Sequence, residues 1–303
     1  MAESFVQLGG RAKKPREPKP EWLKVRMPGG GRYERVRSTL RELNLVTVCE
    51  EASCPNVGEC WGSGTATVML MGDVCTRGCR FCDVASGTPR PLDPQEPRHL
   101  AEAVGRLGLD YLVVTSVNRD ELQDGGAAHF AQAIVELRRA APKTLVEVLT
   151  PDFQGRTFAL DMIIDAGPTV AAHNVETIER LTPHVRDRRA TYRQSLDVLD
   201  YYKRGGMRTK SSIMLGLGET HGEVVQAMRD LRSVGCDIVT LGQYLRPSEK
   251  HLPVVEFVHP DAFKALEQEG LALGFQFVAA GPLVRSSYKA GEFFVKNLVS
   301  AAP

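Results

Sequence analysis

From Ala66 to Gly242 the chain alternates short apolar runs with segments whose apolar residues recur at helical spacing. The runs Ala66–Met71, Tyr111–Thr115, Thr144–Leu149, Thr169–His173, Lys210–Leu215 and Asp237–Gly242 are rich in Val, Ile, Leu, Thr or Met and read as strands. Between them, Leu100, Ala103, Val104 and Leu107 follow the i, i+3, i+4, i+7 rule of a helix with one buried face. Val224, Ala227, Met228 and Leu231 do the same, and Phe130, Ile134 and Leu137 mark another helix after Gly126. Strand and helix in strict alternation imply a parallel sheet with right-handed crossovers. Six such units are too few for the usual eight-stranded barrel. The predicted fold is therefore α/β, a partial (β/α)6 TIM-type barrel with extensions at both ends. A helix from about Pro260 to Leu273 and an apolar run, Phe275–Ala280, follow the sixth unit.

This fold places chemistry at the C-terminal ends of its strands. The polar loops there are Cys75–Cys82, Ser116–Asp120, Pro151-Asp152, His173–Glu176, Gly216–Thr220 and Gln243–Ser248. Four regions are expected. They are an arm rich in Lys, Arg and Pro (1–30), an N-terminal extension (31–65), the barrel (66–257) and a C-terminal extension (258–303). The arm reads as a solvated tail, the ordinary role of a short charge run.

Charge narrows the partners. With 38 Lys+Arg against 37 Asp+Glu, the 303 residues carry a formal +1, which offers no broad footprint for nucleic acid or an anionic membrane. No apolar run is long enough to span a bilayer. The N-terminus has no uninterrupted apolar stretch and carries Glu3 early, so no secretory or transit peptide is expected and the cytoplasm is the expected compartment.

The seven cysteines sharpen the picture. Six lie between positions 49 and 82, and Cys236 stands alone downstream, where it reads as a buried thiol. Clustered cysteines in such a chain favour metal over disulfides. Cys75, Cys79 and Cys82 have the spacing C-x3-C-x2-C directly after the first barrel strand. Three thiolates on one loop can hold three irons of a cubane and leave the fourth iron open for a chelating molecule; a three-cysteine zinc site is the alternative. Cys49, Cys54 and Cys60 form a second triad, which alone fits either a second cluster or a structural zinc closed by a remote ligand.

Taken together, these segments resemble the lipoyl synthase family of radical S-adenosylmethionine (SAM) enzymes. The resemblance rests on Val48–Trp61, Met71–Cys82, Val114–Asp120, Val146–Phe153, His173–Thr177, Met214–Thr220, Thr240–Leu245 and Gly281–Tyr288, which ends in Arg285-Ser286-Ser287-Tyr288. It runs from about Thr47 to Tyr288. Arg246 stands where Gln is expected and Gln154 where Arg is common; neither lies in a cluster motif.

The resemblance implies a radical SAM sulfurtransferase that replaces hydrogens at C6 and C8 of an octanoyl group with sulfur. That group is carried on a lysine of a lipoyl carrier domain. Two SAM molecules would be cleaved to methionine and 5′-deoxyadenosine. It implies two 4Fe–4S clusters. Cys75, Cys79 and Cys82 would hold the one that binds SAM. Cys49, Cys54, Cys60 and Ser287 would hold an auxiliary one that donates sulfur. Asn118, His173, Asn174, Gly216, Gly218 and Glu219 are the candidate SAM contacts, with Arg119 a further polar residue at a strand end. No side chain is expected to act as acid or base, because unactivated carbons hold their protons too tightly. The implied partners are octanoylated lipoyl domains of 2-oxoacid dehydrogenase E2 subunits and the glycine cleavage H protein, a reductant such as flavodoxin or ferredoxin, and a cluster-repair carrier. A methylthio-transferring radical SAM enzyme and a non-enzymatic iron–sulfur carrier or zinc-stabilised module are the competing classes.

Overall fold

Residues 19–24, 29–51, 54–63 and 65–287 are described in a computed structural model; most of the basic arm, and Tyr288, lie outside them. In chain order, helix α1 (Gly31–Glu42) precedes strand β1 (Val46–Thr47) and helices α2 (Val48–Glu51) and α3 (Val57–Ser63). Strand β2 (Thr65–Leu70) leads to two short strands, β3 (Val74–Cys75) and β4 (Ala85–Ser86). The alternating part continues as α4 (Glu96–Leu107), β5 (Tyr111–Ser116), α5 (Ala127–Ala140), β6 (Leu145–Leu149), α6 (Thr157–Ala166) and β7 (Val170–Ala172). It closes with α7 (Thr182–Val185), α8 (Tyr192–Arg204), β8 (Thr209–Leu215), α9 (His221–Ser233), β9 (Ile238–Gln243), α10 (Pro260–Ala272) and β10 (Phe277–Gly281).

The sheet order is β1-β2-β5-β6-β7-β8-β9-β10, parallel throughout except for β1, which pairs antiparallel with β2. Six parallel strands coincide with the six expected. The apolar run near Phe275 adds a seventh, since β10 pairs in parallel with β9 from Phe277↔Ile238 to Gly281↔Gly242. The C-terminal extension expected from residue 258 thus begins as one more helix–strand unit of the same sheet. β1 and β10 remain as the two edges, so this is an open, partial barrel. No helix among the described residues is long and apolar enough to cross a membrane.

Alternation along the strands sorts the core. Leu112 and Val114 of β5 pack outward with Leu100, Phe130, Ile134 and Leu137, while Val239 and Leu241 of β9 pack with Val224, Met228 and Leu231. The opposite face lines the barrel. Near the strand starts, Tyr111, Val113, Val170 and Ile238 form its floor. Within this floor, Lys210 Nζ lies 2.9 and 2.8 Å from the two Glu147 carboxylate oxygens, and the Tyr111 hydroxyl donates to the same carboxylate. Both charged side chains are buried, at 2% and 1% exposure. An ion pair this deep survives only because its charges are matched and its oxygens have donors. Higher up the lining is small and polar: the Thr240 hydroxyl donates to Ser212 Oγ at 2.8 Å and Thr115 Oγ1 to the Leu149 carbonyl at 2.9 Å.

Replacing Lys210 with Met leaves the Glu147 carboxylate buried without its cation. The expected loss is about 3–5 kcal/mol of folding stability. Adding Glu147→Leu to Lys210→Met should recover most of it. Urea unfolding midpoints of the single and double variants check this; equal losses in both would refute the pairing argument.

Candidate active site

β2 delivers the chain to the C-terminal rim, where Met71 (φ +70°) and Gly72 (φ +91°) turn it out of the sheet. A bulky residue at positive φ needs support. The Met71 N–H donates to the Glu96 carboxylate at 2.9 and 3.1 Å, and His129 Nε2 donates to the same carboxylate at 2.6 Å. Arg119 donates to the Met71 carbonyl at 3.2 Å, to the Arg90 carbonyl at 2.9 Å and to Glu121 at 2.6 Å. Those bonds make Arg119 part of the scaffold under the turn. Gly126 leaves room for the Met71 thioether, which would lie 2.2 Å from a Cβ there.

The cysteine loop begins as this turn ends. Cys75 Sγ accepts from Asn118 N–H at 3.3 Å and from Arg77 N–H at 3.4 Å, with Asn118 Nδ2 at 3.7 Å. Cys79 Sγ accepts from Asp187 N–H at 3.3 Å, and the Val84 amide serves Cys82. Burial pushes the Cys82 thiol up to about 12 and raises Cys79 as well. Such thiols ionise against a bound cation and not in its absence.

Arg77 sets where this loop lies. It is buried, and its fork donates to two carboxylates: Nε and Nη2 to Asp120 at 2.9 and 2.7 Å, and Nη1 and Nη2 to Asp152 at 2.6 and 2.7 Å. Asp120 follows β5 and Asp152 follows β6, so one guanidinium ties the loop to the next two strands. Burial alone would raise Asp120, but the Arg77 bonds and charge outweigh it and hold the carboxyl down to about 2. Further ties come from Gly78 N–H to Asp187 (3.0 Å), Arg189 to the Thr76 carbonyl (2.7 Å) and His251 Nε2 to the Cys82 carbonyl (3.0 Å).

The segment after β7 faces the loop. His173 is buried, with Nδ1 2.9 Å from the Thr150 carbonyl and Nε2 3.0 Å from Ser195 Oγ. The carbonyl can only accept, which assigns the proton to Nδ1. Burial, reinforced by the Arg186 charge, lowers this imidazole to about 4, so it is neutral near pH 7 and both its nitrogens are engaged by protein. Asn174 Nδ2 donates to Glu176 at 3.0 Å, while its Oδ1 is buried without a donor. Glu176 adopts φ +66°, and Arg186 donates to Ser195 Oγ at 2.7 Å but leaves its buried Nε without an acceptor. The charges of Arg186 and Glu176 both act on the Cys79 thiol. Glu176 and Arg186 were not among the expected contacts. Their partners are remote in sequence, and a charge run such as Val185–Arg189 reads as solvated surface.

In the turn after β8, Glu219 accepts from the N–H groups of Gly216 and Leu217, closing the turn on itself. Gly216 (φ +96°) has no room for a side chain, since a Cβ would sit 2.2 Å from Gln243 Nε2 and 2.4 Å from the Glu256 carbonyl. Gly218 opens onto the exposed Val255.

The second triad sits on α2, α3 and the turn between them. Cys54 N–H donates to the Cys49 carbonyl at 3.0 Å, and Cys60 N–H to the Asn56 carbonyl at 2.9 Å. Burial and the neighbouring Cys54 push the Cys49 thiol up to about 11, with Thr67 and Trp61 beside it. The Trp61 ring stacks on Tyr33 at 5.1 Å, and its buried indole N–H faces the Cys49 sulfur. After β10 the chain crosses over the end of β9, where the Val284 carbonyl would lie 2.1 Å from a Cβ on Gly242. Asn56 Nδ2 donates to the Leu283 carbonyl at 2.6 Å, so this strap, which continues into Arg285, Ser286 and Ser287, is tied to the residue two positions after Cys54. Cys236 is elsewhere. It precedes β9, fully buried and with Sγ on the Ile238 carbonyl at 3.3 Å, a strand length of roughly 20 Å from the strap.

Among the described residues, no three His, Cys, Asp or Glu side chains gather tightly enough to grip one metal ion. A cubane asks for a wider arrangement, since each thiolate reaches a different iron. Backbone amides aimed at Cys75 and Cys79, and an indole N–H beside Cys49, are the donors that cluster sulfur accepts. The unpartnered Asn174 Oδ1 and Arg186 Nε, with Glu176 between, suit a ligand that carries both amino and carboxylate groups.

The chain is similar to known proteins in sequence and in fold. Residues 69–231 match the model of the radical SAM superfamily, and residues 3–54 that of the N-terminal domain of lipoyl synthase of the radical SAM family. The chain is 61% identical over 283 residues to lipoyl synthase of Myxococcus xanthus (strain DK1622), covering 93% of this chain and 95% of that protein. It is 62% identical over 286 residues to lipoyl synthase of Anaeromyxobacter dehalogenans (strain 2CP-C), covering 93% and 97%. Mitochondrial lipoyl synthase of Branchiostoma floridae is 56% identical over 289 residues, covering 93% and 77%. Among solved structures, methylornithine synthase shares the fold at a TM-score of 0.56 with 13% identity, covering 86% of this chain and 83% of that one.

Arg77→Met should leave Asp120 and Asp152 facing each other without their shared cation, at a loss of about 3–5 kcal/mol. Arg77→Lys should recover only part, because an ammonium cannot fork. Because Asp120 is depressed when folded, its contribution is complete above the unfolded value near 4 and vanishes as pH falls through about 2. Acid titration followed by near-UV circular dichroism should lose that component in Asp120→Asn; an unchanged profile would contradict it.

Proposed function

The chain belongs to the lipoyl synthase family of radical SAM enzymes, and from that membership we propose its reaction and the residues that carry it. As a radical SAM sulfurtransferase it uses SAM and a 4Fe–4S cluster. The proposed reaction inserts two sulfur atoms, at C6 and C8 of an octanoyl group on a lysine of a lipoyl carrier domain. Two SAM molecules are cleaved to methionine and 5′-deoxyadenosine for each lipoyl group. When bound, SAM and its cluster supply hydrogen-atom abstraction, which no side-chain base could match at unactivated carbons.

The observation that carries this reading is the strap. Its Leu283 carbonyl is held by Asn56, two residues from Cys54, and its Val284 carbonyl lies over Gly242 at the end of β9, which supports a role for the following Arg285-Ser286-Ser287 beside the second triad. In the proposed division, Cys75, Cys79 and Cys82 hold the cluster that engages SAM. Cys49, Cys54, Cys60 and Ser287 hold an auxiliary 4Fe–4S cluster as the sulfur source. Asn118 serves Cys75 rather than the ligand directly. Asn174 Oδ1, Glu176 and Arg186 take the polar groups of SAM, and His173 keeps the neighbouring backbone in place. Gly216 and Gly218 let the backbone approach the adenosyl part, in a turn that Glu219 fixes. Serine oxygen would be a harder and weaker ligand for iron than thiolate, so Ser287 would hold its iron less firmly than the three cysteines hold theirs. Octanoylated lipoyl domains of 2-oxoacid dehydrogenase E2 subunits and the glycine cleavage H protein are the proposed substrates. A flavodoxin or ferredoxin is the proposed reductant and an iron–sulfur carrier the proposed source of repair, in the cytoplasm.

Anaerobic assay with an octanoyl-lysine peptide, read by mass spectrometry, tests the reaction. Cys79→Ala should abolish SAM cleavage. Cys54→Ala should still cleave SAM but yield no thiolated peptide; normal product from it would end the proposed division of labour. Ser287→Ala should lose sulfur insertion while Cys236→Ala keeps both clusters, and the reverse result would move the fourth ligand to Cys236.

A further inference from the structure

Three guanidiniums near the rim, those of the buried Arg77 and Arg119 and of the half-buried Arg285, differ in what faces them. Arg77 meets Asp120 and Asp152, and Arg119 meets Glu121. Arg285 meets no carboxylate among the described residues. Its Nη1 donates to the carbonyls of Gln243 at 3.3 Å and Val284 at 2.7 Å, both neutral. The titratable side chain that acts on it is that of Cys54. This placement is fixed on both sides: the Leu283 carbonyl is held by Asn56, two residues from Cys54, and the Val284 carbonyl lies over Gly242. A half-buried cation that faces only neutral oxygens has no counter-charge of its own, and a charge at Cys54 is the one that would supply it. A cluster ligated by three thiolates and an alkoxide carries a net negative charge, whereas a neutral thiol does not.

We propose that Arg285 is the fixed counter-cation of the auxiliary cluster and holds its reduction potential up. The inference rests on the reading that Cys49, Cys54 and Cys60 carry a cluster. Reduction adds one electron to an already anionic centre, and a cation beside it favours that reduced state. Arg285 thereby works through charge. Its grip on two carbonyls aims the guanidinium but does not replace it.

The test uses the full-length chain with Cys75, Cys79 and Cys82 all replaced by Ala, so that only the auxiliary site can take iron. It is reconstituted anaerobically with iron and sulfide, and roughly four irons per chain are expected. Dithionite titration followed by electron paramagnetic resonance then gives the midpoint potential, one electron from the titrant entering each cluster. Arg285→Gln should shift the potential to more negative values, while Arg285→Lys should stay near the parent. Should Arg285→Gln hold no iron but Arg285→Lys hold it near the parent potential, the charge is again what the cluster requires. A full iron content with an unshifted potential in Arg285→Gln would overturn the inference. So would loss of iron, or an equal shift, in both variants, which would assign the role to the carbonyl grip. A parent that takes up no iron would instead bring down the auxiliary-cluster reading itself.

Discussion

Arg77 sits between two carboxylates that belong to different strands, and the geometry of the rim follows from that. Its fork fixes the distance from the cysteine loop to the ends of β5 and β6 at once. A single-point contact would let the loop swing. Two bidentate contacts on one planar group fix position and orientation together. The hydrogen bonds from Asn118 to Cys75 and from Asp187 to Cys79 then need no separate positioning, because their loops are already tied to the same guanidinium or to its neighbours. Strength is a secondary matter. Two carboxylates beside a cysteine loop would compete with thiolates as hard oxygen donors for any cation there, and Arg77 keeps both engaged.

Much of this arrangement is legible in the amino-acid sequence. Strand and helix periodicity places six parallel strands, since each buries one face on helices and the other inside the barrel. The apolar run near Phe275 is visible too, but nothing local says that it pairs with β9; pairing is a long-range choice. The spacing of Cys75, Cys79 and Cys82 is itself a signal, whereas the second triad is ambiguous by spacing alone and the final Arg-Ser-Ser is singled out only by the family resemblance. Glu176 and Arg186 cannot, for their significance lies in what faces them across the rim. His129 has its partner far away in sequence as well: it is a buried, structural partner of Glu96 beneath the Met71 turn.

Several expected ligand contacts have prior engagements. His173 is bonded at both nitrogens, Glu219 closes its own turn, and Arg119 supports Met71. A polar residue at a strand end can shape a pocket without touching what fills it. The groups left unpaired, Asn174 Oδ1 and Arg186 Nε, are therefore the more informative ones.

The strap has a consequence for the order in which the molecule is made. Asn56 and Leu283, which join it to the second cysteine triad, are 227 positions apart in the chain. Contacts of such separation form late, after the intervening segments have folded. During synthesis the six clustered cysteines emerge early, while the strap that Asn56 holds emerges near the end. The newborn chain therefore exposes both triads well before one of them can be enclosed. Its assembly has to run in sequence, barrel first and strap last, with the thiols kept reduced in the interval.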